Sequence, residues 1–160
     1  MKSALIETEL GPFRAHFTET GLARLQFPRA KADPVADAIE PPAKWLRHTT
    51  SVLHTMLQGN TPRTLPPLDL TAGTAFRQAV WNLLLAIPGS TVQTYGDLAY
   101  RLNQPKAARA VGGACGANPI PVIVPCHRVV GANGSLTGFS GGMKWKVRLL
   151  RIEGIELPLH

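Results

Sequence analysis

The 160-residue sequence is poor in cysteine, in charged residues and in long apolar runs. Its two cysteines, Cys115 and Cys126, are too few for a disulfide framework, which favours a reducing compartment. The longest apolar runs, residues 81–87 and 120–124, are much shorter than the roughly 20 residues that span a membrane. The first residues include glutamates where a secretory signal needs an apolar stretch, so we expect a cytoplasmic protein without membrane contact.

Acidic residues are scarce in the second half of the chain. Residues 1–72 contain eight Lys and Arg and seven Asp and Glu, a net charge of +1, whereas residues 73–160 contain nine and three, a net charge of +6. This asymmetry favours binding of a polyanion by the second half. An inert basic surface is the alternative, and charge alone does not decide between the two.

Residues 1–72 have the pattern of a small sheet followed by a helix. Apolar and polar residues alternate through residues 13–18, which is strand periodicity, and the segments 3–10 and 22–27 predict two more strands. Apolar side chains share one face over residues 43–58, between a proline pair and a glycine, which predicts a helix.

A segment rich in proline and glycine, residues 60–73, is the best linker candidate. It divides the chain into a sheet-plus-helix domain, residues 1–72, and a second domain, residues 73–160. In the second domain, Thr74 can cap a helix that stops near Pro88, and Thr94 can cap another.

A further helix is predicted to begin at Pro105, so two short helices joined by a tight break form a helix-turn-helix. Residues 120–124 predict a buried strand or an extended segment, since prolines flank and interrupt them. The Asn133–Gly134 pair predicts a hairpin, which after a helix-turn-helix would be a wing. Ser140 can cap a last helix over about residues 142–153.

The predicted helix after Pro105 is almost without bulky side chains. Its small residues are Ala107, Ala108, Ala110, Gly112, Gly113, Ala114, Gly116 and Ala117. Glycine inside a helix costs up to about 1 kcal/mol relative to alanine, so a compensating interaction is required. Close approach to DNA is one explanation and close packing against a neighbouring helix is the other. Lys106 and Arg109 on the same element favour DNA.

Cys126 is followed directly by His127 in the segment PVIVPCHRVVG. A neighbouring base can lower the pKa of a thiol and make it a nucleophile. Adjacent side chains of an extended chain point to opposite sides, so a Cys–His bond needs a bend, which Pro125 can impose, or a bridging water. A buried structural thiol is the alternative. The cysteines and histidines show no metal-ligand spacing, so we expect no metal.

The segment PCHRVVGANGSLTGFSGGMKWKVRLLRIEG, with PKAARAVGGACGANPIPVIV before it, resembles the O6-alkylguanine-DNA alkyltransferases (methylated-DNA–protein-cysteine methyltransferases). The resemblance covers about residues 74–156, and the first seventy residues match only in layout. It implies an α/β fold in two parts: an N-terminal RNase H-like antiparallel sheet plus helix, and a C-terminal winged helix-turn-helix domain.

The resemblance also implies an activity. The alkyl group of O6-alkylguanine, and less readily that of O4-alkylthymine, would pass irreversibly from double-stranded DNA to Cys126. Each molecule would act once, as a monomer, after flipping the base out of the stack, and no cofactor would be needed.

Individual roles follow from the same resemblance. Cys126 would be the acceptor thiolate, His127 its base acting through a water, and Glu153 the residue that orients and polarises His127. Asn118 would hold the turn before the active-site segment, and Tyr95 would donate a proton to the departing guanine.

The remaining implied residues bind the substrate base or the DNA. Arg109 would fill the position of the flipped nucleotide. The implied substrate-binding residues are Val129, Phe139, Ser140, Gly141 and Lys146. The other implied DNA-binding residues are Thr94, Lys106, Ala108, Ala110, Gly112, Gly113 and Arg128.

Two other functions are compatible with parts of this pattern. A DNA-binding sensor without chemistry could use the same winged helix, but relatives of that kind lack the acceptor cysteine that is present here at Cys126. A Cys–His hydrolase would explain the Cys126–His127 pair, but would leave the basic, small-residue helix without a purpose.

Overall fold

The computed structural model describes residues 1–29, 39–136 and 142–156. Its first part is a three-stranded antiparallel sheet in the order β1–β2–β3, followed by one long helix. The elements are β1 (Lys2–Thr8), β2 (Gly11–Phe17), β3 (Leu22–Gln26) and α1 (Ala43–Leu57). The three predicted strands and the predicted helix are therefore confirmed.

The alternation in β2 corresponds to one buried and one exposed face. Phe13, Ala15 and Phe17 are at most 1% exposed, and they share one core with Val52 and Leu53 of α1. Burying a side chain of the size of phenylalanine stabilises the fold by about 1.5–3 kcal/mol, so this face fixes the register of the sheet.

The outer edge of β3 contacts two distant segments of the chain. The amide of Leu22 donates to the carbonyl oxygen of Pro67 at 2.8 Å, and the amide of Asp69 donates to the carbonyl oxygen of Leu22 at 2.7 Å. Further along the strand, the amide of Leu25 donates to the carbonyl oxygen of Pro119 at 2.9 Å. The predicted linker thus runs beside β3, and the loop around Pro119 is tied to the sheet.

Asp69 anchors this linker to the β2–β3 turn. Its carboxylate accepts hydrogen bonds from the hydroxyls of Thr18, Thr20 and Thr71 and from the amide of Thr71. The hydroxyl of Thr18 first, then the donors of Thr71 and Thr20, hold the pKa of Asp69 well below its ordinary value. The folded state is therefore more stable when Asp69 is ionised than when Asp69 is protonated.

Replacing Asp69 with asparagine is expected to lower the free energy of unfolding at pH 7 by about 1 kcal/mol, because hydrogen bonds to a partly exposed charge are screened by solvent. A depressed folded-state pKa gives stability that is present above about pH 4 and lost as the pH falls toward the folded value. Denaturation at pH 7 and pH 3 should therefore show a difference between wild type and Asp69→Asn that shrinks at pH 3. Glu19→Gln, which removes a carboxylate from the same turn, is the control, and an equal difference at both pH values would contradict the prediction.

Within the described residues, the second part of the chain contains four α-helices and two short strands that pair in parallel. The elements are α2 (Ala75–Leu85), β4 (Gln93–Thr94), α3 (Tyr95–Arg101), α4 (Ala108–Gly116), β5 (Val129–Val130) and α5 (Met143–Ile152). Both predicted caps are confirmed, since the hydroxyl of Thr74 accepts from the amide of Arg77 and Thr94 forms a reciprocal capping box with Asp97.

One local prediction needs correction, and two others involve residues outside the described part of the chain. The small-residue helix begins at Ala108 rather than at Pro105, because residues 104–107 form a turn in which the amide of Ala107 donates to the carbonyl oxygen of Gln104. The first residue before α5 is Gly142, with a φ of 91°, whereas the predicted cap Ser140 lies outside the described residues. At the predicted hairpin, Asn133 and Gly134 adopt positive φ angles and β5 pairs with β4, while residues 137–139 of the second predicted strand lie outside the described residues.

The prediction of an extended segment over residues 120–124 is wrong. All five residues are buried, but they are folded into turns, and the amide of Val124 donates to the carbonyl oxygen of Ile120 at 2.9 Å. The side chain of Asn118 satisfies the backbone groups that a neighbouring strand would otherwise bind, so the segment needs no sheet partner.

Helix α5 joins the two parts through an aromatic cluster. The ring of Trp145 lies 4.6 Å from that of Phe27, nearly stacked, and 5.8 Å from that of Phe13, edge to face. Such pairs contribute roughly 0.5–1.5 kcal/mol beyond the burial of their area. The position of α5 therefore depends on the N-terminal sheet. No helix in the described part of the chain is long and apolar enough to cross a membrane.

Candidate active site and nucleic-acid interface

Cys126, His127 and Arg128 form a single turn of 3₁₀ helix between Pro125 and β5. The chain therefore bends after Pro125 and is not extended at the Cys–His pair, which is one of the two alternatives that the sequence leaves open. The amide of Cys126 donates to the carbonyl oxygen of Val124 at 2.8 Å, and the Cys126 residue is 1% exposed. The thiol consequently lies inside the protein, where its chemistry is set by a few neighbours.

The imidazole of His127 contacts the carboxylate of Glu153, which directly follows α5. Nε2 of His127 donates to Oε2 of Glu153 at 2.7 Å, and both residues are buried. Within the described residues, Nδ1 of His127 is buried and has no hydrogen-bond partner. Burial lowers the pKa of His127, so the ring is neutral at pH 7 and has one nitrogen able to accept a proton.

Asn118 clamps the turn that leads to Cys126. Its Nδ2 donates to the carbonyl oxygen of Val124 at 2.7 Å, and its Oδ1 accepts from the amide of Ile120 at 3.0 Å. Asn118 itself is 4% exposed. The sequence-based role of Asn118, holding this turn, therefore has a direct structural counterpart.

Lys146 of α5 is a buried cation beside Tyr95, the first residue of α3. Its Nζ lies 3.4 Å from the hydroxyl oxygen of Tyr95, and Lys146 is 1% exposed. Burial raises the pKa of the Cys126 thiol to about 11, although a hydrogen bond from Asn118 and the charge of Lys146 oppose the rise. At neutral pH the resting thiol is protonated and needs a base to become a nucleophile.

Helix α4 presents an open face of small residues beside the start of α3. A groove of about 630 Å³ is lined by Thr94, Tyr95, Gly96, Ala108, Arg109, Gly112, Gly116 and Ala132. In the described structure, a Cβ built on Gly113 or Gly116 would meet nothing within 4 Å. Packing inside this molecule therefore does not require glycine at these two positions, which favours the explanation that another molecule approaches them.

The buried face of α4 fixes its orientation. Val111, Ala114 and Cys115 are buried, and Nε1 of Trp81 in α2 donates to the carbonyl oxygen of Ala114 at 2.8 Å. Arg109 and Lys106 are exposed. Arg109 of α4 and Lys106 just ahead of it are thus directed to solvent, whereas Cys115 is packed inside the protein.

A family model described as 6-O-methylguanine DNA methyltransferase, DNA binding domain, matches residues 75–155. The chain belongs to this methyltransferase family. The methylated-DNA–protein-cysteine methyltransferase of Methanosarcina acetivorans is 39% identical over 163 residues, covering 96% of this chain and 99% of that one. That of Salmonella typhimurium is 58% identical over 87 residues, covering 54% of this chain and 51% of its own length.

A solved structure agrees over nearly the whole methyltransferase chain. The crystal structure of Mycobacterium tuberculosis OGT in complex with DNA superposes with a TM-score of 0.81 at 36% identity, covering 96% of this chain and 92% of that one. The family resemblance inferred from the PCHR segment is therefore confirmed, and so is an α/β fold with a small antiparallel sheet.

Arg128 of the methyltransferase lies differently from its predicted place in the DNA interface. The residue is 8% exposed, and its Nε donates to Oε1 of Glu153 at 2.6 Å while Nη1 donates to the carbonyl oxygen of Ile87 at 2.7 Å. Its guanidinium is therefore hydrogen-bonded inside the protein, which does not favour the role in DNA binding that the resemblance implies for Arg128. Sequence spacing gave no signal for the pairing of Glu153 with Arg128 or with the amide of Ser90.

The implied substrate-binding residues divide into those that the structure describes and those outside the described residues. Val129 is buried in β5 and Lys146 is buried in α5, both on elements that adjoin the Cys126 turn or Tyr95. Phe139, Ser140 and Gly141 lie outside the described residues of the methyltransferase. No cluster of three or more metal-ligating side chains occurs within residues 1–29, 39–136 and 142–156.

Proposed function

We propose that this chain repairs O6-alkylguanine, and less readily O4-alkylthymine, in double-stranded DNA by moving the alkyl group irreversibly to Cys126. The observation that carries the proposal is the buried Cys126 turn, which joins the His127–Glu153 pair to β5, and β5 pairs with β4 directly before α3. Relatives named methylated-DNA–protein-cysteine methyltransferase and the DNA complex of the M. tuberculosis protein support it.

The chemistry is a displacement at carbon. His127, through a water, accepts the proton of the Cys126 thiol, and the sulfur forms a bond to the alkyl carbon as the carbon–O6 bond breaks. The electron pair of that bond goes to the guanine, which takes a proton from Tyr95, and the nearby Lys146 ammonium stabilises the resulting phenolate. The thioether has no route back to a thiol, so each molecule acts once and needs no cofactor.

DNA binding is assigned to the face that carries α4. Its small residues let the helix approach the floor of the minor groove, and Arg109 fills the position that the flipped nucleotide leaves. Thr94 and Lys106 contact phosphates, and the backbone of Val129 reads the edge of the flipped base. The exposed positions of Lys106 and Arg109 and the open face at Gly113 support this arrangement.

The finer description of the fold belongs to the same proposal. We assign residues 1–72 to an RNase H-like domain and residues 73–160 to a winged helix-turn-helix domain, acting as a monomer in the cytoplasm. The antiparallel order β1–β2–β3 supports the first assignment. The packing of α3 against α4 and the Asn133–Gly134 turn after β5 support the second.

The decisive experiment is to incubate the protein with duplex DNA containing O6-methylguanine and to determine the mass of the Cys126 peptide. One added methyl group with restored guanine in the DNA is the expected result. Binding without modification would instead indicate a sensor, and neither binding nor modification would leave a Cys–His hydrolase as the better interpretation.

Adding bulk to the open face of α4 should separate stability from DNA binding. Gly113→Leu is expected to leave the free energy of unfolding unchanged or to raise it by up to about 1 kcal/mol, because leucine is the better helix former. The same variant should bind duplex DNA at least tenfold more weakly, since the helix can no longer approach the groove. Ser51→Leu, on the exposed side of α1, adds a leucine outside the groove and should bind normally. Unchanged binding by Gly113→Leu would rule out close approach at this position.

A further inference from the structure

Glu153 is the meeting point of three segments of the chain. Its Oε2 accepts from Nε2 of His127 at 2.7 Å, and its Oε1 accepts from Nε of Arg128 at 2.6 Å and from the amide of Ser90 at 3.2 Å. Nη1 of Arg128 continues to the carbonyl oxygen of Ile87 at 2.7 Å. One carboxylate and one guanidinium thus connect the Cys126 turn, the end of α5 and the connection between α2 and β4.

Because Glu153 is buried, its carboxylate needs the guanidinium of Arg128 to stay charged. Glu153 and Arg128 are each 8% exposed, and an unpaired carboxylate in such surroundings would take up a proton rather than stay charged. Burial by itself raises the pKa of Glu153, but hydrogen bonds and charges from His127 and Arg128 outweigh it and hold the pKa below its ordinary value. A charged Glu153 accepts from Nε2–H of His127, and the other nitrogen stays free to act as a base.

We propose that Arg128 is a positioning residue for alkyl transfer, which keeps Glu153 charged and fixed so that His127 presents Nδ1 as the proton acceptor. The inference rests on the proposed function, since only alkyl transfer makes His127 a base that must be oriented. It gives Arg128 a role inside the protein in place of the DNA binding that the family resemblance implies. The groups that face the His127–Glu153 pair are Arg128 from the Cys126 turn and, acting on His127, Lys146 from α5.

Arg128 also holds the segment that leads to Tyr95. Residues 87–90 wrap around the ion pair, with Ser90 at a positive φ of 63° and its amide on Glu153. The chain then enters β4 beside β5 and begins α3 at Tyr95. The Arg128–Glu153 pair therefore helps to position both His127, the proposed base, and Tyr95, the residue assigned to protonate the guanine.

The test compares Arg128→Met, Arg128→Lys and wild type at saturating duplex containing O6-methylguanine, with single-turnover rates measured from pH 5 to pH 9. Without the guanidinium, burial raises the pKa of Glu153, so the carboxylate becomes protonated at higher pH. Arg128→Met should transfer at least tenfold more slowly at pH 7, and its acid limb should move up by about one pH unit. Arg128→Lys keeps a cation but loses the planar contact with both Glu153 and Ile87. Its transfer rate and its acid limb should therefore lie between those of wild type and Arg128→Met.

Two further measurements separate the explanations. The affinity for duplex DNA and its dependence on salt should stay within twofold of wild type, because the guanidinium is buried. If Arg128 instead touches a phosphate, the log–log salt slope should fall by about 0.9 and the rate at saturating DNA should be normal, which would overturn the proposal. An unchanged rate and pH profile would overturn it equally.

The experiment does not depend on a single variant or on transfer itself. Should Arg128→Met fail to fold, Arg128→Lys decides, since it retains the buried charge. Nitrogen NMR of the His127 ring in the free protein should show a proton on Nε2 in wild type and a mixture of tautomers in the variants, and a fixed tautomer in all three would overturn the proposal. If wild type leaves Cys126 unalkylated, the proposed function fails, while this spectrum still judges the positioning role.

Discussion

A Cys126→Ser variant is expected to accept no measurable alkyl group, a loss of at least about a thousandfold. A serine hydroxyl holds its proton far more tightly than a thiol, and at neutral pH the hydroxyl oxygen is a poor nucleophile toward the alkyl carbon. The turn that carries residue 126 is held by Asn118 and by backbone bonds, so the fold and the DNA affinity should persist within a few-fold. Mass spectrometry after exposure to methylated duplex, together with a binding titration, measures both.

Cys115→Ser is the matched control for that variant. Cys115 is buried in α4, and burial with the nearby Cys126 raises its pKa to about 12, so it is a poor nucleophile in its own environment. Its replacement should leave transfer intact. A methyl group found on Cys115 of the wild-type protein would contradict the assignment of Cys126.

An Arg109→Ala variant is expected to repair duplex DNA ten- to a hundredfold more slowly, about 1.4 kcal/mol in the barrier for each factor of ten. Arg109 is an exposed, long cation on a helix otherwise made of small residues, and it lines the groove next to Tyr95. Extruding a base costs a few kcal/mol of unstacking, which a side chain in its place partly offsets. Free O6-benzylguanine needs no extrusion, so its reaction with Cys126 should hardly change.

Single-turnover rates at saturating duplex, beside rates with the free base, distinguish extrusion from simple attraction. Lys106→Ala removes an exposed cation just ahead of the same helix and should weaken binding without slowing the step at saturation. If Arg109→Ala behaves like Lys106→Ala, Arg109 is a phosphate contact. Equal losses on duplex and free base would mean that Arg109 supports the fold or the thiol instead.

The parts of the fold that could be predicted from the sequence depend on neighbours close in the chain. The alternation around Phe13, the caps at Thr74 and Thr94, and the left-handed pair Asn133–Gly134 each need only a few consecutive residues. For the site, the order of Cys126 and His127 and the position of Glu153 were recognisable through a family resemblance, and not through spacing.

The errors arise where a side-chain hydrogen bond, rather than a pattern of residue types, decides the structure. Residues 120–124 include residues that favour strands. The side chain of Asn118, however, hydrogen-bonds the amide of Ile120 and the carbonyl oxygen of Val124, which allows a buried turn instead. Arg128 sits among residues of the active-site motif and has the charge of a DNA contact. Its partners are Glu153 and Ile87, which lie 25 and 41 positions away, and no local pattern records such a pairing.

The hydrogen bonds along the outer edge of β3 have a consequence for how the chain can be divided. The amides of Leu22 and Leu25 donate to the carbonyl oxygens of Pro67 and Pro119, so the linker and the second part of the protein together shield an edge that would otherwise be open to another strand. Expressing residues 1–72 alone would uncover the amide of Leu25 while leaving that of Leu22 occupied. The two parts are therefore poor candidates for exchange between relatives as independent modules, because a graft would leave one end of this edge exposed to aggregation unless the loop around Pro119 travels with its sheet.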